Sequence, residues 1–224
     1  MNRNFSLYLS IICLLAFILI FLLIYSGVSS NLDTSAFVLL NETMNVPQLN
    51  YLFTFITLYG REFFWIPVVA LLLLFGKTRE QKAAILLIVA FIIVIIVGLA
   101  LKDAYYRPRP FYTVPSTILL VTPDSDSSFP SGHAMIVMAG AVISLLMLRK
   151  RYSIPLLAEA LIVCYSRIYV GMHYPLDVIG GGALIGMSIA FFVVYVMQSK
   201  RLEKLTDNIL AQYNRILHRI VPSF

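Results

Sequence analysis

The chain has 224 residues, 60% of them hydrophobic and only 12% charged, with a mean hydropathy of +0.87. A soluble domain of this size has no use for so much apolar surface, and this composition belongs to an integral membrane protein. The formal charge of +6 does not mark a nucleic-acid binder, because the basic residues gather at the ends of apolar runs, where they set topology.

Arg3 precedes an apolar run from Leu7 to Tyr25, which is followed by the small residues Ser26, Gly27, Ser29 and Ser30. These imitate a signal-peptide cleavage site. The run nevertheless exceeds the usual signal core of about 7–15 residues, so it predicts a retained first span. Residues 31–60 mix polar and apolar side chains around Pro47 and predict one or two short interfacial helices. Asn41-Glu42-Thr43 within them is an N-glycosylation sequon. Charges deep in a bilayer are costly, so the second span is placed from near Glu62 to near Phe75, with Trp65 at the interface. Lys77, Arg79 and Lys82 form a basic turn before a third span from about Ala83 to Leu101.

Residues 103–130 form a proline-punctuated loop, long enough to expect a function for it. The fourth span opens at Pro130-Ser131-Gly132-His133 and ends at the Arg149-Lys150-Arg151 turn; the fifth runs from about Ile154 to Val170, the sixth from about Leu176 to Met197. Glu159, an acid inside the fifth span, pairs with a polar group in the bundle or snorkels to the cytoplasmic face. After Lys200 the residues Leu202, Leu205, Ile209, Tyr213 and Ile216 recur at helical spacing, which predicts an amphipathic helix on the membrane surface or docked on the bundle. Cys13 and Cys164 lie in apolar runs, so no disulfide is expected.

The expected architecture is an all-α membrane protein, one domain over residues 1–224. It has six transmembrane helices, chemistry concentrated in 102–177 and a cytoplasmic amphipathic tail at 198–224. Arg3, the 77–82 and 149–151 turns and the tail share one face, which the positive-inside rule makes cytoplasmic. Lys102–Pro110, Pro130–His133 and Ser166–Asp177 then meet at the extracytoplasmic face.

That convergence carries the chemistry. Lys102, Arg107, Arg109 and Arg167 are four of only five basic residues assigned to the outer face, and they flank two histidines, as an anion pocket would. Ser131, Gly132 and His133 open a helix whose free N–H groups and dipole suit a phosphate. His173 and Asp177 are four apart, so a carboxylate holding one imidazole nitrogen leaves the other free as a nucleophile. Arg167 offers a planar fork of donors to phosphate oxygens. Two histidines and one carboxylate also match a metal triad, but the surrounding cations would repel a divalent ion, and no metal or other cofactor is expected.

Lys102-x6-Arg109-Pro110, Pro130-Ser131-Gly132-His133 and Ser166-Arg167-x5-His173-x3-Asp177, in that order, resemble the signature of the type-2 phosphatidic acid phosphatase superfamily. That superfamily also includes bacterial acid phosphatases and vanadium haloperoxidases. The resemblance covers the third to sixth spans. It implies that His173 attacks phosphorus to form a phosphohistidine, that Asp177 orients His173, and that His133 protonates the leaving oxygen and then activates water. It further implies that Lys102, Arg109, Ser131, the Gly132 amide and Arg167 hold the equatorial oxygens, whereas Arg107 lies outside the motif.

Membrane embedding points to a lipid substrate, and the short single-domain chain resembles the polyprenyl (undecaprenyl) diphosphate phosphatases of that family. Phosphatidate and phosphatidylglycerophosphate are the rival substrates. A transporter or anion channel is the alternative from another class; it calls for charges near the midplane, whereas these lie at span ends. A haloperoxidase on the same scaffold is the third reading. The lipid bilayer and a lipid phosphate are the expected partners, and nucleic acid is not; the oligomeric state is left open.

Overall fold

The computed structural model describes residues 2–220. Among them there is no strand; the chain is a bundle of ten α-helices joined by short 3₁₀ and π turns. Helix α1 (Arg3–Tyr25) starts where the Asn2 side chain caps the Asn4 amide and carries no charge beyond its first residue. Helix α2 (Ser30–Val38) continues into a π turn (Leu39–Thr43), and a 3₁₀ turn (Pro47–Leu49) leads into α3 (Asn50–Tyr59). Helix α4 (Glu62–Phe75) follows after a bend of 53° at Gly60-Arg61. Next come α5 (Thr78–Ala104), the short α6 (Pro110–Thr113), α7 (Gly132–Met147) and α8 (Lys150–Tyr169). A π turn (Asp177–Ala183) runs directly into α9 (Leu184–Met197), and α10 (Lys200–Ile220) ends the described chain.

Three of these helices are long and apolar enough to cross a membrane: Arg3–Tyr25, Thr78–Ala104 and the continuous Asp177–Met197. The bent α3–α4 pair makes a fourth if it is one span. The other two expected spans are shorter or more polar. Helix α7 is apolar but has 16 residues, and α8 contains Glu159 and Arg167.

Helix α7 is the centre of the bundle. Every residue from Ala134 to Ser144 is buried, in contact with α5, α8 and α9. A helix that is apolar on nearly every face belongs at such a position. Small residues set the close approaches. Ser10 of α1 and Ser188 of α9 each donate a hydroxyl to the other's carbonyl at 2.9 Å, a polar clasp of the kind that joins helices in lipid. A Cβ on Gly182 would lie 2.5 Å from the Ala134 Cβ and 2.7 Å from the Ser131 carbonyl oxygen, so only glycine lets the π turn press against the start of α7. That contact puts Asp177 beside Ser131, whose amide donates to the Asp177 carbonyl at 3.0 Å.

The sequon asparagine is a structural staple. Asn41 is fully buried, and its amide donates to the Ile118 and Tyr169 carbonyls at 3.0 and 2.7 Å while accepting from the Ile118 N–H at 2.9 Å. It ties the 103–130 loop to the end of α8 and offers nothing to a glycosyl group. Glu159 neither pairs nor snorkels. Its carboxylate oxygens are buried beside the Trp65 indole without a hydrogen bond of normal geometry. Both cysteines are free. The tail helix docks through Lys82–Asp207 at 2.7 Å and a reciprocal Gln81–Asn214 amide pair at 2.8 and 2.9 Å, leaving Leu205, Ile209 and Ile216 exposed.

Candidate active site

One cavity of about 330 Å³ at the loop end of the bundle is lined by Arg61, Lys102, Arg109, Asp124–Asp126, Gly132, His133, Arg167 and His173. Its walls come from the end of α5, the 103–130 loop, the first turn of α7, the last turn of α8 and the α8–α9 turn. The three motifs, far apart in sequence, thus meet at one place.

His173 reaches it through a tight turn. Gly171 adopts φ +81°, a left-handed conformation that glycine takes without strain, and a Cβ there would sit 2.7 Å from the Ile118 carbonyl oxygen. The His173 ring is buried. Its Nδ1 lies 2.7 Å from the Ser128 carbonyl oxygen, an acceptor, so Nδ1 carries the hydrogen. Nε2 is then an unprotonated lone pair, and the Arg109 Nη1 approaches it at 3.3 Å. Burial holds the His173 pKa down to about 3, against the opposing pull of Asp177, so the imidazole is neutral at ordinary pH.

Asp177 stands behind this ring rather than gripping it. Its Oδ2 is 3.9 Å from Nδ1, beyond a hydrogen bond, and accepts instead from the Ser128 hydroxyl at 2.5 Å and the Tyr174 amide at 3.0 Å. Its Oδ1 pairs with Arg107 at 2.5 Å. Arg107 also binds Asp33 of α2 at 2.7 Å and stacks over the Tyr174 ring, 4.3 Å from its centroid. Arg107 therefore braces the acid side of the histidine and does not line the cavity. Asp177 fixes Ser128, whose carbonyl fixes the histidine, and its charge favours any positive charge that develops on the ring.

The cations line the same cavity. Lys102 donates to Asp126 Oδ2 at 2.8 Å and to the Ser127 carbonyl at 2.5 Å. Arg109 is buried and donates to the Asp126 carboxylate, to the Asp126 carbonyl at 3.2 Å and to the Met172 carbonyl at 3.0 Å. Burial raises the Asp126 pKa, but bonds and charge from Lys102 and Arg109 outweigh it and bring it down to about 2. Arg167, also buried, donates Nη1 to the Thr57 hydroxyl at 2.6 Å, while its Nε has no partner.

Gly132 and His133 open α7 onto the cavity. Ser131 is fully buried with its hydroxyl unpartnered, outside the cavity lining. Seven of the eight expected site residues thus gather around the cavity or the histidine, and the eighth, Ser131, does not line the cavity. Four contributors were missed in the sequence: Thr57, Arg61, Ser128 and the Asp124–Asp126 segment. Adjacency to Pro130–His133 was the available signal for Ser128 and Asp126. Nothing in residues 31–60 marked Thr57.

A neutral buried imidazole beside a cluster of cations is an arrangement that suits a phosphate ester, and the chain resembles known phosphatases. The family model described as the PAP2 superfamily matches residues 83–202. The chain belongs to the PAP2 superfamily. An undecaprenyl-diphosphatase of Sulfolobus acidocaldarius is 41% identical over 74% of this chain and 79% of that protein. The undecaprenyl-diphosphatase BcrC of Bacillus subtilis is 29% identical over 77% of this chain and 86% of its own length. Among solved structures, the PAP2-type phosphatidylglycerolphosphate phosphatase of Bacillus subtilis superposes with a TM-score of 0.71 at 25% identity, over 87% of this chain and 98% of that one. The family and the enzyme class expected from the motifs, a membrane phosphatase, are therefore borne out.

Proposed function

We propose that this PAP2 phosphatase hydrolyses a lipid diphosphate, a polyprenyl diphosphate such as undecaprenyl diphosphate, at the extracytoplasmic face of a six-span bundle. The observation that carries the reading is the unprotonated His173 Nε2 beside Arg109 in a cavity also lined by Lys102 and Arg167. The undecaprenyl-diphosphatase relatives support the substrate class. So does a second cavity of about 270 Å³, lined by Ile88, Ile92, Ile95 and Ile136 together with Arg61, which suits an apolar chain. Phosphatidylglycerophosphate is the second reading, supported by the solved neighbour.

In this mechanism His173 Nε2 attacks the terminal phosphorus while Lys102, Arg109, Arg167 and the Gly132 amide hold its equatorial oxygens. The bond from phosphorus to the bridging oxygen breaks, and His133 gives that oxygen a proton as the lipid monophosphate departs. Water, losing its proton to His133, then breaks the phosphorus–nitrogen bond, and inorganic phosphate leaves. The carboxylate of Asp177 stabilises the charge carried by the phosphorylated ring. No metal enters these steps.

Phosphate release from purified protein in EDTA tests the reading, with polyprenyl diphosphate, phosphatidate and phosphatidylglycerophosphate offered side by side. Highest kcat/KM on the diphosphate supports it; a preference for either glycerolipid, or a need for added divalent ion, refutes it. For topology, a cysteine within 103–130 should react with an impermeant thiol reagent on intact cells and one at Lys150 should not. The reverse pattern overturns the orientation.

A further inference from the structure

Arg61 belongs to none of the three motifs, yet it lines the catalytic cavity. It sits at the bend between α3 and α4, with φ −102° and ψ −95°, a backbone setting outside the helix. Its Nη1 lies 3.9 Å from the point where a Cβ on Gly132 would stand, at the N-terminus that presents His133. It is within charge–charge range of both His133 and Arg167. Glu62 takes its Nη2 at 2.5 Å, whereas its Nε is buried with no partner. Arg61 also lines the apolar cavity between α4 and α5. It is thus the residue common to the polar and the apolar chambers.

His133 feels the charge of both His173 and Arg61, and Arg61 in turn borders the apolar cavity. A lipid diphosphate runs in the order terminal phosphate, bridging oxygen, inner phosphate, apolar chain. We propose that Arg61 is the specificity residue that holds the inner phosphate, the one that stays on the lipid, and so selects diphosphates over monophosphates. This rests on the reading of the protein as a lipid phosphatase. When the bond to the bridging oxygen breaks, negative charge grows on the departing lipid monophosphate. A guanidinium at that point stabilises it in the transition state more than in the ground state. A lipid monophosphate has no inner phosphate and gains little from Arg61, since its transferred phosphate lies on Lys102, Arg109 and Arg167.

The test compares the full-length wild type, Arg61→Gln and Arg61→Lys in detergent, each on a polyprenyl diphosphate and on the monophosphate of the same alcohol. The readout is the ratio of the two kcat/KM values. A charge-assisted phosphate contact predicts a fall of about 10- to 100-fold in that ratio for Arg61→Gln. Arg61→Lys should lie between, because the charge is kept and the fork is lost. A ratio unchanged in Arg61→Gln, including equal loss on both substrates through a damaged fold, overturns the assignment while leaving the phosphatase reading intact. A wild type that cleaves neither lipid overturns both.

Discussion

Asp126 lies where a substrate phosphate is expected to lie. Its carboxylate takes Lys102 and Arg109 together, the same two cations proposed to hold the transferred phosphate. With a pKa brought down to about 2, it is ionised at any working pH. Substrate must therefore exchange one anion for another. The magnitude follows from the exposure of the pair: the Asp126 side chain is 52% exposed, so its two charge-assisted bonds are screened. Full strength would be about 1.5–3 kcal/mol each, whereas exposed ion pairs give about 0.2–1 kcal/mol; a net of about 1 kcal/mol is reasonable for the pair. Asn keeps the shape and one acceptor oxygen but removes the charge. Asp126→Asn should then tighten orthovanadate inhibition about fivefold, since 1.4 kcal/mol is a factor of ten. KM for the lipid should fall in parallel, and both effects should shrink in high salt. Asp124→Asn should show a weaker version, because Asp124 reaches Arg109 only at 3.4 Å and is more exposed. The assay is a vanadate titration of initial rates for wild type and variant at low and high ionic strength. If vanadate binds equally or less tightly to Asp126→Asn, the carboxylate positions the cations rather than competing for them, and the reasoning fails.

Arg167→Lys should lower kcat/KM at least about tenfold, since a lysine keeps the charge but cannot hold Thr57 and a phosphate with one planar fork; near-normal turnover would mean that charge alone suffices. His173→Ala should be inactive on every substrate. His133→Ala should lose about 10²–10⁴-fold on an alkyl phosphate, yet show a burst and accumulate acid-labile phosphoenzyme on nitrophenyl phosphate; rapid quench with labelled substrate measures this, and uniform loss without phosphoenzyme refutes the division of roles. Stability should fall on acidification: His173 titrates near 6.5 when unfolded and at about 3 when folded, so between those values the unfolded chain binds the extra proton. The thermal midpoint in detergent should drop across that window, less steeply in His173→Asn, and an equal slope in both would remove His173 as the cause.

What the sequence displays, and what it hides, follows from where each interaction stores its information. Phosphate chemistry needs particular side chains, and Lys102, Arg109, His133, Arg167, His173 and Asp177 are visible as residue types at fixed spacing. The apolar runs are equally visible because lipid requires them, which is why α4 and the Asp177–Met197 helix fall where expected. Residues 31–60 have no such period. Thr57 and Arg61 enter the site through a bend of 53°, a tertiary fact with no local signature. Asn41 shows the converse: its triplet advertises a surface modification, while three backbone carbonyls and one amide consume its side chain inside the protein. The orientation of His173 is the sharpest case. The i, i+4 spacing pointed to Asp177 as its direct partner, but the partner at 2.7 Å is a backbone carbonyl, that of Ser128, and every residue type owns one. Asp177 acts at one remove, by holding the Ser128 hydroxyl and supplying charge at 3.9 Å. Orientation and charge are thus divided between two groups. Arg107, shared between Asp177 and Asp33, can hold the carboxylate without releasing the ring, because the ring's tautomer depends on a backbone dipole that no cation removes.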